Sequence, residues 1–227
     1  MLTARLILEK FNGDMRLLEK IEKPSRSFVQ GFIELLYCAH AQVLAAGPLP
    51  MTDIDGVARN VDGQAGGNCE YYKSNLQIGA PAGDGCILGI FGEDHDSPTN
   101  YPDNMVEGSK IGIQVGTGAG AVAPGDTALG TRILHGRAAG ELEYGGCELL
   151  GLTIANPNGE FTIRRYFTNN SGGGITVEET GIHALGTMFT VGFGMTWAFL
   201  VARDLTGGVA VANTELLRVT YVVQITV

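Results

Sequence analysis

Side chains able to do chemistry gather most densely in GEDHDSPTNYPDN, where Glu93, Asp94, His95, Asp96 and Asp103 fall within 11 residues. Carboxylate oxygens and one imidazole suit a divalent cation, and a metal held there could serve a hydrolase. The spacing lacks the D-x-D-x-D-G register with a distant Glu that marks calcium loops, so the stretch reads as a solvated acidic loop.

A second candidate is rich in glycine. IGIQVGTGAGAVAPGDTALGTRILHG, residues 111–136, places Gly116, Gly118 and Gly120 behind an apolar strand, as phosphate-binding turns do. Such a turn must open a helix, and Pro124 stands where that helix would run; no Gly-Lys-Ser/Thr occurs either. The glycines are expected to serve a turn and a close crossing of strands. His40, His95, His135 and His183 form no H-E-x-x-H pair, and no serine sits in G-x-S-x-G. Glu178 and Glu179 are adjacent, so on a strand they point to opposite faces and cannot work as a pair. Cys38, Cys69, Cys86 and Cys147 include no C-x-x-C and read as buried or idle thiols. These patterns predict no enzyme, no cofactor and no resident metal.

Positioning falls to strands. TARLILEK, the turn FNGD and MRLLEKIEK predict an N-terminal hairpin, with positive φ at the Asn-Gly. In SRSFVQGFIELLYCAHAQVL the period changes: Phe28, Phe32, Leu35 and Leu36, with Val29 and Ile33 beside them, predict one helix over 27–44, capped by Ser27 with Gln30. Residues 46–84 lack periodicity and read as a long loop with one short strand at most; GCILGIFG and IGIQVG then read as strands. GELEYGG, CELLGLTI, EFTIRRYFTN, GITVEETGIHAL, WAFLVARDL, VAVA and LLRVTYVVQITV follow, separated by short turns such as NPNG and DLTGG. In the last strand Val219, Tyr221, Val223, Ile225 and Val227 share a face that should meet a core. The predicted fold is mainly β: an antiparallel β-sandwich, jelly-roll or immunoglobulin-like, preceded by a hairpin and one α-helix. Its predicted divisions are 1–45 for hairpin and helix, 46–110 for a loop-rich connector with one buried strand, and 111–227 for the sandwich.

Composition narrows the partners. A net charge of −9 with 15 Lys and Arg, mostly scattered, argues against nucleic acid and anionic membranes. No apolar run is long enough to span a bilayer, and MLTARLILEKFNGD is no signal peptide, so synthesis in a cytoplasm is expected. Glycine, at 34 residues of the chain, is about twice its usual frequency, as suits many short strands joined by tight turns.

Beginning with IGIQVGTGAGAVAPGDTALGTRILHG and continuing through GELEYGG, FTIRRYFTNNSGGGITVEETGIHAL, FLVARDL and LRVTYVVQITV, the chain resembles structural β domains of tailed bacteriophages, tail-associated and fibre-attachment ones above all. A VG.G....D.AL strand-turn, an iTV.E.Gi strand, liARd and a closing Val/Thr strand carry the likeness, over residues 85–227; SRSFVQGFIELLY adds a looser one. EETGIHAL, which has no Leu-Tyr or Leu-Phe after its glycine, and the stretch 92–109 depart from the pattern. The resemblance implies a virion protein made in the host cytoplasm, acting as a symmetric oligomer with copies of itself and other virion proteins. Tail, tail tip or fibre attachment is the implied position, with capsid decoration the alternative. Candidate contact residues are Phe28, Phe32, Phe189, Phe193, Met195 and Trp197, aromatic or flexible groups suited to interfaces. A glycan-binding module stacking sugars on Trp197, Tyr71, Tyr72 or Tyr166 is a more distant reading.

Overall fold

The computed structural model describes residues 2–25, 28–41, 49–61, 110–190 and 193–226. The acidic stretch 93–103 and the expected strand GCILGIFG lie outside these residues, as do Ser27, Tyr71, Tyr72 and His95.

The chain is mainly β, with antiparallel sheets packed together in a sandwich-like arrangement. The first sheet runs β2 (Leu17–Ser25), β1 (Leu2–Phe11), β10 (Leu216–Thr226), β7 (Asn158–Thr168), β6 (Glu143–Ala155). The second runs β5 (Gly112–Gly116), β8 (Ile175–Thr190), β9 (Phe193–Val211), and β3 (Leu49–Thr52) with β4 (Ala58–Val61) forms a separate hairpin. Alternation decides which side chains meet between the sheets. Ala4, Leu6 and Leu8 of β1, Leu217, Val219 and Tyr221 of β10, and Ile163 and Phe167 of β7 are all buried. Facing them are Ile113 and Val115, Val177 and Ile182, and Phe199 and Val201 from the second sheet. Each Leu, Ile, Val or Phe among them stabilises the fold by roughly 1.5–3 kcal/mol relative to exposure.

The expected N-terminal hairpin is present and joins the first sheet, because β1 pairs along its whole length with β10. Its turn differs from the Asn-Gly expectation. Met15 adopts the positive φ (61°), while the Asn12 side chain accepts hydrogen bonds from the N–H groups of Asp14 and Arg16. A five-residue connection closed by an Asx cap thus replaces a two-residue turn.

Two expected turns lie inside continuous strands. GELEYGG and CELLGLTI contribute to one strand, β6, with a register shift after Tyr144 where Gly145 and Gly146 form a bulge. WAFLVARDL and VAVA likewise form one strand, β9. There DLTGG makes a bulge opposite Glu178, with Gly207 and Gly208 at φ 88° and 85° and the Thr206 hydroxyl donating to the Val177 carbonyl. The expected loop 46–84 contains the hairpin β3–β4 in its described part.

The helix α1 spans Gln30–Ala41. Leu35 is buried and Phe32 packs against the core, whereas Ile33 is exposed and does not belong to the apolar stripe. Entry into α1 runs along the β9 edge: Phe28 bridges Ala202, and the Val29 N–H donates to the Val201 carbonyl. A Cβ on Gly31 would lie 2.3 Å from the Leu200 carbonyl oxygen, so only glycine lets the first turn sit this close.

Candidate functional site

The glycine-rich segment does hold an anion, and the anion is part of the chain. Glu179 projects from β8, fully buried, into the loop that follows β5. Its Oε1 accepts from the Gly118 N–H at 3.0 Å and the Thr131 N–H at 2.9 Å; its Oε2 accepts from the Gly130 N–H at 3.0 Å and from Arg203 Nε at 2.7 Å. Glycine is required for this approach. A Cβ at Gly116 or Gly118 would stand 2.6 or 2.4 Å from Glu179 Oε1. Three backbone N–H groups converging on one carboxylate use the same physics as a phosphate cradle, with the site filled from within.

Arg203, on β9, completes the arrangement. Beyond Glu179 it donates through Nη1 to Asp126 Oδ2 at 2.7 Å and to the Ala121 carbonyl at 3.4 Å, and through Nη2 to the Gly120 carbonyl at 3.1 Å. Burial favours the neutral form of the Arg203 guanidinium, but the hydrogen bonds it donates to Asp126 and Glu179, with the charges of those carboxylates, outweigh it and raise the pKa. Asp126 also accepts from the Ala123 N–H, which fixes the loop's far end. Each oxygen of Glu179 accepts from two donors, and four of the five Arg203 N–H groups are committed to Glu179, Asp126 and the loop carbonyls of Gly120 and Ala121.

Asp204 faces the other way. It accepts from Ser25 Oγ at 2.7 Å and Tyr221 OH at 3.1 Å, all three groups buried, tying β2, β9 and β10 together. Arg165 of β7 reaches across the core: Nε donates to the Gly145 carbonyl, Nη1 donates to the carbonyls of Ile111 and Ile113, and the guanidinium lies over the Tyr144 ring. Burial lowers its pKa and raises that of Tyr144 to about 12. Burial also raises the pKa of the Cys147 thiol, leaving a poor nucleophile.

The histidines do not converge. His183, expected at a strand end, sits mid-strand in β8 with Nδ1 2.9 Å from the Lys110 carbonyl, which can only accept, so Nδ1 carries the proton. Nε2 has no hydrogen-bond partner among the described residues, and burial pushes the pKa down to about 3. His135 accepts from the Tyr144 N–H through Nδ1. The His40 side chain is outside the described part. As expected, Glu178 and Glu179 diverge: Glu179 enters the cradle, while Glu178 lies beside Gly208. Among the described residues no group of three His, Cys, Asp or Glu could hold a metal ion.

Of the candidate contact residues, Phe28 and Phe32 lie 4.6 Å apart between ring centroids and pack partly buried against the core. Trp197 also packs there, with the Arg59 guanidinium 5.0 Å from its ring centroid. Backbone pairing puts Phe189 opposite Gly194, Phe193 opposite Thr190 and Met195 opposite Met188, toward the turn of the long β8–β9 hairpin. Trp197 and Tyr166 belong to different sheets and form no common stacking platform. A cavity of about 80 Å³ beside the start of α1, reached by Gln30, Glu34, Thr52 and Asp126, is well below the roughly 300–1,000 Å³ of ordinary small-molecule pockets.

Sequence reasoning placed the glycines, Glu179 and Arg203 in separate strands and turns. It missed that they form one unit, although a Glu and an Arg on apolar strands signalled buried charges needing partners. No protein-family model matches the chain, and no curated protein or solved structure matches it.

Proposed function

We propose that the chain is a structural subunit of a tailed bacteriophage particle, assembling as a symmetric oligomer in the tail, tail tip or fibre-attachment region. The observation that supports this reading is the convergence at Glu179. The segments that carry the resemblance, VGTGAG with Asp126, the EETG strand and ARD, interlock as one buried clamp through Gly118, Glu179 and Arg203. Residues with that role specify a rigid scaffold, and a scaffold repeated by symmetry is what a particle subunit must supply. The same groups are committed to internal hydrogen bonds: four donors on Glu179 and four of the five N–H groups of Arg203.

Mass spectrometry of purified particles whose genome encodes this chain tests the reading. A stoichiometric band in the intact particle, in a copy number matching tail or head symmetry, is expected. Its absence from particles would overturn the proposal, and localisation to the head surface would favour capsid decoration.

A further inference from the structure

We propose that Asn12 is a self-modification site: the turn between β1 and β2 drives its conversion to aspartate and isoaspartate, with water consumed and ammonia released. The inference goes beyond the structural-subunit reading and does not depend on it.

The sequence holds two Asn-Gly pairs, Asn12–Gly13 and Asn158–Gly159, and the described residues include one Asp-Gly pair, Asp55–Gly56. In each pair the glycine nitrogen can attack the preceding side-chain carbonyl carbon, because no Cβ on the glycine hinders the approach. As sequence, the two Asn-Gly pairs are equivalent. The fold separates them.

At Asn12 the nucleophile is free and the electrophile is held. Gly13 is exposed and lies outside the strands, and its N–H donates no hydrogen bond among the described residues. Asn12 Oδ1 accepts from the Asp14 N–H at 3.1 Å and the Arg16 N–H at 2.8 Å. The ring closed by the Asp14 bond contains both Asn12 Cγ and the Gly13 nitrogen, so the two atoms that must join are kept within one small loop of chain. Charge develops on Oδ1 as the nitrogen adds to Cγ. The same two N–H groups already point at that oxygen, as the donors of an oxyanion hole do.

The other pairs have their nitrogen occupied. The Gly56 N–H donates to the Asp53 carbonyl at 3.0 Å. Gly159 lies in β7 between β6 and β10, opposite Ile154 and Ile225, where the ladder holds backbone groups on both sides of the strand. Attack by either nitrogen must first break a hydrogen bond.

The steps balance. The Gly13 nitrogen bonds to Asn12 Cγ and gives its proton to solvent; the Cγ–Nδ2 bond then breaks, and Nδ2 leaves as ammonia with a proton taken from solvent. A succinimide remains, and one water opens it at either carbonyl. Opening at Cγ gives aspartate, whose charged oxygen keeps the Asp14 and Arg16 donors. Opening at the main-chain carbonyl gives isoaspartate, which routes the backbone through Cβ and Cγ. The carbonyl that accepts from the Met15 N–H then becomes a free carboxylate, and the closure of the β1–β2 hairpin is lost.

Peptide mapping by mass spectrometry, with isoaspartate methyltransferase labelling, reads the conversion in the full chain aged in mildly alkaline buffer, folded or unfolded in urea. In the folded chain Asn12 should convert at least about tenfold faster than Asn158, with no isoaspartate gained at Asp55 over the same interval. In urea the two Asn-Gly pairs should convert within about threefold of each other, and Asn12 no faster than in the folded chain. A Cβ at Gly13 meets only the Thr214 carbonyl oxygen, at 3.8 Å, so Gly13→Ala keeps the fold and should slow Asn12 at least about tenfold. Folded Asn12 that stays intact, converts no faster than Asn158 or converts more slowly than in urea would overturn the inference, as would a Gly13→Ala chain that ages at the wild-type rate. None of these outcomes bears on the structural-subunit reading, which fails only if the chain is missing from particles.

Discussion

Arg203 Nε and Glu179 Oε2 meet at 2.7 Å between neighbouring strands, 24 residues apart in sequence, and both side chains are at most 5% exposed. Removing one partner of such a pair leaves a buried charge without compensation. Glu179→Gln keeps the shape, removes the charge and points an amide NH₂ at donors. Urea unfolding should show a loss of about 3–5 kcal/mol with an unchanged slope.

Gly118 tests the cradle from the loop side. In Gly118→Ala the methyl would stand 2.4 Å from Glu179 Oε1 and 2.9 Å from the Gly130 Cα, so the loop must shift, at a cost of about 1–3 kcal/mol. Glu179→Ala empties the space the methyl needs. The double variant should therefore fall short of the summed single losses by about 1 kcal/mol or more in a double-mutant cycle. Strict additivity would show that the loop and the carboxylate do not act together.

Acid stability should carry the signature of His183. Its folded pKa is lowered to about 3, below the ordinary histidine value of 6.5, so between those limits the unfolded chain binds a proton that the folded chain refuses. The contribution is fully present above pH 6.5 and is lost as pH falls toward 3, at up to about 1.4 kcal/mol per pH unit. In His183→Asn, whose amide can still donate to Lys110, the unfolding free energy measured from pH 4 to 7 should lose about one proton's worth of slope.

Much of the sandwich is legible in the sequence, because alternation is local. Val219 and Tyr221 announce their face, and both are fully buried. Breaks inside strands are not legible: Gly145–Gly146 and Gly207–Gly208 look like turns, and only the register of the facing strand shows that each is a bulge. The pairing of β1 with β10 joins the two ends of the chain, and no local pattern specifies it. At the candidate site the glycine pattern is visible, but its purpose depends on a carboxylate 61 residues away from Gly118. Pattern reasoning found a turn there; only the fold shows what the turn encloses.

The start of α1 offers an independent check on the packing. Gly31→Ala would push a methyl to 2.3 Å from the Leu200 carbonyl oxygen, against backbone that cannot rotate away. A loss of about 1–3 kcal/mol is expected, with faster amide exchange at Val29 and along the β9 edge from Ala198 to Ala202.

The central claim is that the clamp around Glu179 stiffens a subunit that a particle repeats by symmetry. Cryo-electron microscopy of particles whose genome encodes the chain addresses it most directly. The account predicts the two-sheet body in several symmetry-related copies of the tail or its tip, with side-chain density linking Arg203 to Glu179. Particles that lack this density altogether would contradict it.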